Sequence, residues 1–340
     1  MKRITYISQL APEVRREALA GIARVAAGHN AAVGITGVLV AVGGFFFQVI
    51  EGPADRIDAL MTRIRADRRH RELRILACEE GVAARLFPDW AMRPVDLDAA
   101  SDDVLRPIRV LLERLAHSHA VIQRYTQPAV MRILERGLDP LSVPLRRRER
   151  VILFADLVGF SRLVERFPDE AIAGMVTRFI DICDGRVAAA GGEVSKVIGD
   201  CVMAFAPREQ TDAMIAAALG ILGDLHRCRT EAVDGRAEAC LRCGIGLSLG
   251  AVLEGNLGSQ RKSDYTVLGD AVNVASRLEA ISRTTGRALI LSAPVRAAAR
   301  QSWPFVALGC HPLKGKSEPQ ELFTLNDPLI DDPELLHHRV

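Results

Sequence analysis

The sequence predicts an α+β fold with two domains that are joined by a helical segment. Its 340 residues amount to roughly two average domains. Strand-like apolar runs alternate with helical stripes on both sides of a middle stretch, which is broken by Pro128, Pro140 and Pro144. We expect a first domain at 1–98, a helical coupling segment at 99–150, a second domain at 151–326 and a C-terminal tail at 327–340.

Composition and charge exclude several classes of protein. Charged residues make up 25% of the chain and hydrophobic residues 49%, which is typical of a globular protein with apolar cores. The 44 Lys and Arg residues nearly balance the 42 Asp and Glu residues, so nucleic-acid binding by the whole chain is not expected. The seven cysteines are scattered and odd in number, no apolar run is long enough for a membrane span, and residues 1–6 lack the apolar core of a signal peptide. We expect a cytoplasmic protein with no membrane or nucleic-acid partner.

The first domain is predicted from alternating strands and helices. Gly43 and Gly44 lie between two apolar runs and indicate a tight turn between adjacent strands. The predicted strands are 3–8, 34–41, 45–51 and 73–79, and the predicted helices are 12–27 and 55–66.

The coupling segment contains one amphipathic helix, predicted at 101–125. Its apolar stripe suits two roles, covering the first domain or pairing two copies of the chain, and the pattern does not choose between them. We interpret the arginine-rich run 146–150 as a solvated linker. The stripe consists of Leu105, Ile108, Leu111, Leu112, Leu115 and Ile122.

The second domain opens on a buried-type strand at 151–156 and continues into a helix and a hairpin. The hairpin spans 193–205 and has its bend at 198–200. A later strand at 241–249 leads into a glycine-rich stretch at 250–258. The predicted helices are 169–190, 211–229 and 270–282.

Two carboxylates of this domain lie where side chains project into clefts. Asp156 ends the first strand, and Asp200 lies in the bend of the hairpin. Brought together, they would suit Mg²⁺, which prefers one or two carboxylates plus phosphate oxygens. Spacing alone, however, favours two ordinary turn residues.

Asn273 and Arg277 share one face of the predicted helix at 270–282, because they are four residues apart. An amide and a guanidinium can together hold a sugar and a phosphate, although a solvated helix face is the commoner reason for such a pair. Their face lies off the stripe that is predicted to be buried, which consists of Ala271, Val274, Ala275, Leu278 and Ile281.

These motifs together resemble the catalytic domain of class III nucleotidyl cyclases. The segments that carry the resemblance are FADLVGFS at 154–161, KVIGD at 196–200 and YTVLGDAVNVASR at 265–277. The segment Lys314-Gly315-Lys316 is similar to the basic segment that contacts the triphosphate in that family. The resemblance implies a ferredoxin-like core and a head-to-tail homodimer with its active sites at the cyclase–cyclase interface.

The resemblance also implies a role for each matching residue. Asp156 and Asp200, with the backbone of Leu157, would hold two Mg²⁺ ions, or Mn²⁺ in their place. Asn273 would orient the ribose, and Arg277 would stabilise the charge that builds up at the α-phosphate. Each active site would take its metal carboxylates from one chain and Asn273 and Arg277 from the other. Lys314 and Lys316 would contact the triphosphate.

Two positions bear on the choice of base. Adenylyl cyclases commonly have Lys at the position of Lys196 and Asp or Thr at that of Thr266, whereas guanylyl cyclases usually have Glu and Cys there. Adenine N1 is an acceptor to which a lysine can donate, while guanine N1–H requires an acceptor such as Glu. The pair therefore favours ATP, converted to 3′,5′-cyclic AMP and pyrophosphate, with a guanylyl cyclase as the nearer alternative.

In the first domain, Tyr6 and Gln48 are each predicted on a strand, and the two side chains could meet if the strands are neighbours. A buried Tyr–Gln contact is usually ordinary polar satisfaction in a core, and Asn30 after a helix is usually a cap or turn residue. The whole set nevertheless resembles the BLUF domain, a flavin-binding blue-light sensor with a ferredoxin-like sheet. The segments that carry the resemblance are 6–8, 29–30, 34–39, 46–52, 67–70 and 87–92.

The resemblance implies that FAD, or FMN in its place, lies between two helices. Tyr6 would give an electron and a proton to the excited flavin, and Gln48 would bridge Tyr6 and the ring. Whether Gln48 then rotates or tautomerises is left open. Asn30 would bond the polar edge of the ring, and Trp90 and Met92 would lie on a terminal strand that responds to the switch. The other residues expected near the flavin are His29, Asp67, Arg69 and His70.

Nearly the full chain, including Tyr125 within the segment 123–126, resembles photoactivated adenylyl cyclases. From the apolar stripe and the obligate dimer of the cyclase family, we hypothesise that the helix at 101–125 pairs with its copy and that light shifts a population between open and closed cyclase sites. A flavin module whose cyclase-like half only docks a partner is the alternative from another class of function.

Overall fold

The computed structural model describes residues 1–11, 19–98, 105–135, 138–233, 235–259 and 263–338. These residues form two compact units, Met1–Val143 and Pro144–Val340. The first part of the helix predicted at 12–27 and the first four residues of the helix predicted at 101–125 lie outside the described residues. Within the part that is described, no helix combines the length and the apolarity that crossing a membrane requires.

The first unit is built on a five-stranded sheet in the order β4-β1-β3-β2-β5. The order of its first four strands is that of a ferredoxin-like fold, as the sequence predicts. Antiparallel pairing of β1 with β3 places Tyr6 opposite Gln48. The elements are β1 (Lys2–Leu10), α1 (Leu19–Ala32), β2 (Thr36–Val42), β3 (Phe45–Gly52), α2 (Ala54–Ala66), β4 (His70–Glu80) and β5 (Arg93–Asp96).

Two further helices, α3 (Leu105–Tyr125) and α4 (Pro128–Glu135), complete the first unit. Ala116 of α3 is fully buried in the cluster that contains Ile7 and Phe47, so α3 covers one face of the sheet. Other apolar side chains of the same helix remain exposed, among them Leu111 at 68% and Ile122 at 51%. The helix therefore covers its own domain and still presents an apolar surface.

The second unit is built on a sheet in the order β12-β13-β11-β9-β6-β8-β7, with β10 paired to β9. The run β9-β6-β8-β7 repeats the ferredoxin-like order and confirms the predicted fold. The strands are β6 (Arg146–Leu157), β7 (Glu193–Ile198), β8 (Cys201–Pro207), β9 (Cys243–Gly258), β10 (Ser263–Leu268), β11 (Leu289–Ser292), β12 (Phe305–His311) and β13 (Gln320–Leu325). The helices are α5 (Phe160–Arg166), α6 (Asp169–Ala189), α7 (Thr211–Glu231), α8 (Asp270–Thr285) and α9 (Ala293–Ala298).

Three segments of this unit differ from the sequence prediction. The run 146–150, interpreted as a solvated linker, is the first part of β6 because it pairs with Glu254–Gly250 of β9. The glycine-rich stretch 250–258 is strand because β9 pairs there with both β6 and β10. The predicted tail at 327–340 instead packs Ile330 and Leu335 into the main core, where both are fully buried.

Gly246 allows β9 to approach α8, the helix that carries Asn273 and Arg277. A Cβ atom at this position would lie 2.2 Å from the Ala275 carbonyl oxygen and 2.4 Å from the Glu279 amide nitrogen. Both neighbours are backbone atoms, so strand and helix would have to separate to admit a methyl group.

We expect Gly246→Ala to lower the Tm by several degrees, because overpacking of this kind costs about 1–3 kcal/mol. Thermal denaturation followed by circular dichroism measures the shift. Gly174→Ala on α6 is the matched control, since a Cβ there meets nothing within 4 Å, and its Tm is expected to stay the same or rise slightly. Equal Tm values for the two variants would contradict the close approach of β9 and α8.

Candidate functional site

A cavity of about 260 Å³ lies between α1, α2 and one face of the first sheet. Apolar side chains such as Leu39 and Ile64 form part of its wall, and polar groups converge on it from both helices and the sheet. This lining fits a flat, largely apolar ring with a polar edge. Of the predicted flavin residues, it includes Tyr6, His29, Asn30, Gln48, Asp67, Arg69, His70 and Met92.

Tyr6, Gln48 and Met92 form a chain of hydrogen bonds at the base of this cavity. The Tyr6 hydroxyl donates to Gln48 Oε1, and Gln48 Nε2 donates to Met92 Sδ at 3.1 Å. All three side chains are buried. Burial, followed by the charge of Asp67, raises the pKa of Tyr6 above its ordinary value, so the phenol keeps its proton.

The segment before β5 differs from the prediction that Trp90 and Met92 lie on a strand. Both residues precede β5, which begins at Arg93 where parallel pairing with β2 starts. Trp90 stacks on Phe87, with ring centroids 5.2 Å apart, and is not among the residues that line the cavity. Asn30 Nδ2 donates to the Ala91 carbonyl at 3.2 Å and so ties α1 to this segment.

Charged and titratable groups lie at one side of the cavity. The Arg69 guanidinium bonds both carboxylate oxygens of Asp67, at 2.5 to 3.0 Å. This hydrogen bonding holds the pKa of Asp67 below its ordinary value despite partial burial. His70 Nδ1 lies 2.8 Å from Ser8 Oγ, and burial lowers the pKa of His70, which favours the neutral imidazole.

Glu51 was not singled out from the sequence, yet it fixes the segment that leads to Met92. Its carboxylate is buried and accepts hydrogen bonds from the Leu86 amide at 3.0 Å, the Phe87 amide at 2.6 Å and Arg3 Nε at 3.0 Å. Burial raises the pKa of Glu51, but the two amides and Arg3 outweigh burial, so this pKa lies below its ordinary value. An acid at the end of the apolar strand predicted at 45–51 was the available signal.

In the second unit, Asp156 and Asp200 come together at one end of the sheet. Antiparallel pairing of β6 with β8 places Asp156 opposite Cys201, and the Leu157 amide donates to the Asp200 carbonyl at 3.4 Å. Burial raises the pKa of both carboxyl groups, and the charge of Asp156 raises the pKa of Asp200 further. A carboxylate is expected to raise the pKa of a neighbouring carboxyl group in the same site.

The chemistry of this pair can be tested against the implied metal. Within the described ranges, no three His, Cys, Asp or Glu side chains converge on a point where a metal could be held. Two carboxylates are too few for a structural zinc site, which takes four protein ligands. They fit Mg²⁺ or Mn²⁺ that shares phosphate oxygens of a bound substrate.

Arg283 and Glu279 adjoin this pair, and sequence reasoning missed both. Arg283 Nη2 donates to Asp156 Oδ2 and, at 3.0 Å, to Glu279 Oε1. Burial raises the pKa of Glu279 to about 8, with Arg283 acting in the opposite direction. Their spacing of four on α8 was visible in the sequence, but the contact with Asp156 spans 127 positions.

Asn273 and Arg277 lie on α8 outside its buried stripe, as predicted. Ala271, Val274, Ala275 and Leu278 are buried, and Ile281 is half-buried. A Cβ atom on Gly315 would lie 3.5 Å from Arg277 Nη2, so the segment 314–316 runs beside this guanidinium. Lys316 Nζ lies 2.5 Å from Asp270 Oδ2, and Lys314 is exposed.

Lys196 on β7 and Thr266 on β10 also lie in one region, because side chains of the two strands are in contact. Ser195 Oγ is 3.4 Å from Thr266 Oγ1, and the Thr266 side chain is buried. Lys196 Nζ is 3.6 Å from Asp264 Oδ2. The region therefore offers an ammonium, a carboxylate and two hydroxyls, which is a set that can read the edge of a purine.

Comparison with known families defines the class of protein to which these two units correspond. Residues 1–93 match the family described as sensors of blue light using FAD (BLUF), and residues 144–327 match the adenylate and guanylate cyclase catalytic domain. The class is thus a blue-light sensor domain followed by a nucleotide cyclase domain. This chain belongs to the adenylate and guanylate cyclase family and carries a BLUF domain.

Individual relatives are similar to this chain across most of its length. The chain is 33% identical over 297 residues to the photoactivated adenylate cyclase subunit beta of Euglena gracilis, and 32% identical to that of Euglena longa. In both cases the match covers 86% of this chain and 34% of the relative, so the chain spans about a third of their length. A solved bacterial light-regulated adenylyl cyclase is similar over 98% of this chain and 97% of its own, with a TM-score of 0.93 and 38% identity.

Proposed function

We propose that this protein is a blue-light-activated adenylyl cyclase that converts ATP into 3′,5′-cyclic AMP and pyrophosphate. The observation that carries the proposal is the presence, in one chain, of the Tyr6–Gln48–Met92 array in a cavity and of the Asp156–Asp200 pair in a cyclase fold. The free state of all seven cysteines suits the reducing cytoplasm that we propose as its location.

The first cavity is proposed to bind FAD, or FMN, without a covalent bond. The chemistry that a bound flavin supplies is absorption of blue light and acceptance of an electron from a nearby phenol. Tyr6 would supply the electron and the proton that an excited flavin takes up and would later take both back, while the Gln48 amide would bridge the phenol and the ring. Gln48 would then hold reversed hydrogen bonds, by rotation or by tautomerisation. Because Gln48 also bonds Met92, the change reaches the segment before β5.

The cyclase reaction is an in-line attack of the ribose 3′-oxygen on the α-phosphorus. A bond forms between these two atoms, and the bond between the α-phosphorus and the oxygen of the leaving pyrophosphate breaks. Asp156 and Asp200, with the Leu157 backbone, would hold two Mg²⁺ or Mn²⁺ ions. The bound ions would supply activation of the 3′-hydroxyl and neutralisation of the β- and γ-phosphate charge. Asn273 orients the ribose, and Arg277 stabilises the negative charge at the α-phosphate. Lys314 and Lys316 contact the triphosphate.

The active form is proposed to be a homodimer whose chains each complete the other's sites. The exposed apolar side chains of α3, such as Leu111 and Ile122, support pairing of this helix with its copy. Light then changes the population of closed and open cyclase sites by altering the angle between the two catalytic domains. A protein that is monomeric under assay conditions and fully active would contradict this arrangement.

The decisive experiment measures cyclic AMP and cyclic GMP production by the purified protein with Mg²⁺ and either ATP or GTP, in the dark and in blue light. We expect cyclic AMP formation that rises in blue light. Predominant cyclic GMP would identify the guanylyl cyclase alternative. Inactivity with both nucleotides under illumination would support a docking role, and equal rates in dark and light would exclude photoactivation.

We expect Lys196→Glu to lower the rate with ATP about tenfold or more. The lysine ammonium can donate a hydrogen bond to adenine N1, whereas the glutamate carboxylate and adenine N1 are both acceptors and cannot bond each other. Relative use of GTP is expected to rise, since guanine N1–H can donate to the new carboxylate. Competition assays with both nucleotides measure the ratio. Lys2→Glu on β1 changes the charge by the same amount away from the cyclase fold and should leave the ratio unchanged. An unaltered ratio in Lys196→Glu would remove this residue from base recognition.

A further inference from the structure

Arg283 occupies a position that the proposed reaction does not explain. Its guanidinium lies between the carboxylates of Asp156 and Glu279 and donates through Nη2 to both. The side chains of Arg283, Asp156 and Glu279 are only 16%, 21% and 9% exposed. An arginine that is this well shielded from solvent interacts more strongly with its partners than a surface residue does.

The position conflicts with a cation on Asp156. A divalent ion bound there draws on the carboxylate whose Oδ2 now accepts from Arg283, and it places two positive charges close to the guanidinium. The ion therefore competes with Arg283 for Asp156, and repulsion between the two cations favours release of the Arg283 contact as the ion binds. Glu279 lies four residues earlier on the same helix and already accepts from the same nitrogen, so it can retain the guanidinium when Asp156 is released.

We propose that Arg283 is a positioning residue that holds Asp156 in the metal-free site and competes with the catalytic metal for its carboxylate. The inference rests on the proposed metal role of Asp156. The competition lowers metal affinity in the absence of nucleotide, because the ion competes with an existing ion pair and a like charge stays nearby. The triphosphate adds negative charge at the site, and this charge favours the metal over Arg283 as the partner of Asp156. Metal binding is thereby tied to the arrival of substrate.

The test measures Mn²⁺ binding to the full-length protein without nucleotide, from the electron paramagnetic resonance signal of free Mn²⁺. We expect Arg283→Gln to lower the Kd for Mn²⁺ by about tenfold, the effect that Coulomb's law gives in water for charges of +1 and +2 about 6 Å apart. Arg287→Gln, two residues beyond the last residue of α8, is the matched control. Arg287 pairs with Asp331 away from the carboxylates, so the Kd is expected to stay unchanged.

A second measurement uses the native sequence, so it does not depend on the folding of Arg283→Gln. In protein labelled with ¹⁵N-arginine, addition of Mg²⁺ is expected to shift the Nε–H resonance of Arg283, which is assigned by its absence in Arg283→Lys. The resonance of Arg287 serves as the internal reference. An Arg283 resonance that stays in place at saturating Mg²⁺ would overturn the proposal.

The outcomes separate this inference from the proposed function. If Asp156→Asn leaves Mn²⁺ binding unaltered, the assigned metal role of Asp156 fails, and the inference fails with it. If Asp156→Asn weakens binding while Arg283→Gln leaves the Kd unchanged or raises it, only the role of Arg283 is overturned. Weaker binding in Asp156→Asn together with tighter binding in Arg283→Gln supports both.

Discussion

Asp200→Asn is expected to reduce light-stimulated cyclic AMP production by more than about 100-fold, because it removes one of two metal carboxylates. The neutral amide retains the size of the side chain in the turn between β7 and β8. The loss of activity would therefore result from the missing charge and not from altered packing. Initial rates with saturating ATP and Mg²⁺ measure the effect. Asp184→Asn, on an exposed part of α6, is the control and should retain native activity. Activity within a few-fold of native in Asp200→Asn would contradict the metal site.

Co-expression of two inactive variants tests whether each cyclase site takes residues from two chains. Asp200→Asn and Arg277→Ala are each expected to be inactive as homodimers. Co-expressed in equal amounts, they should regain up to roughly a quarter of the native rate, because half of the dimers are mixed and each of these has one intact site. No recovery in a mixture shown to contain mixed dimers would mean that each chain builds its own site.

Tyr6→Phe is expected to abolish light activation while leaving dark cyclase activity in place. The variant lacks the hydroxyl that donates to Gln48 and therefore cannot supply the phenolic proton. The light-minus-dark difference in flavin absorbance should vanish, and the ratio of light to dark rates should fall to near unity. Tyr125→Phe removes a hydroxyl from a side chain that is 86% exposed and should keep the absorbance difference.

Retained flavin absorbance in the dark shows that Tyr6→Phe still binds its chromophore. Under that condition, normal light activation would leave the cyclase assignment intact and overturn the photochemistry assigned to Tyr6. If the absorbance change is lost but light activation of the cyclase is preserved, the absorbance change is not required for activation.

Local patterns were sufficient for most elements of both ferredoxin-like sheets. The hairpin that carries Asp200 lies where the sequence predicts it, and α8 buries its apolar stripe and leaves Asn273 and Arg277 outside it. These features follow from side-chain periodicity and turn residues, which act over a few positions. The same local rules place Tyr6 and Gln48 on strands, but only the pairing of β1 with β3 makes them direct partners.

Segments whose conformation depends on distant partners were predicted less well. The arginine-rich start of β6 has no apolar alternation and becomes strand only because β9 pairs with it. The segment around Ile330 and Leu335 is short and polar in places, yet these two apolar side chains are fully buried in the core. Trp90 and Met92 were predicted on a strand, whereas both precede β5, which begins only at Arg93.

The sequence by itself thus determined the two-domain α+β architecture, the elements that carry the candidate residues, and the set of residues that resemble two known families. Only the tertiary structure decided which charges meet. Arg283 reaches Asp156 across 127 positions, and Glu51 holds amides 35 and 36 positions away. Such contacts depend on the register and packing of separate elements, and no periodicity in the chain encodes the partner of a single buried charge.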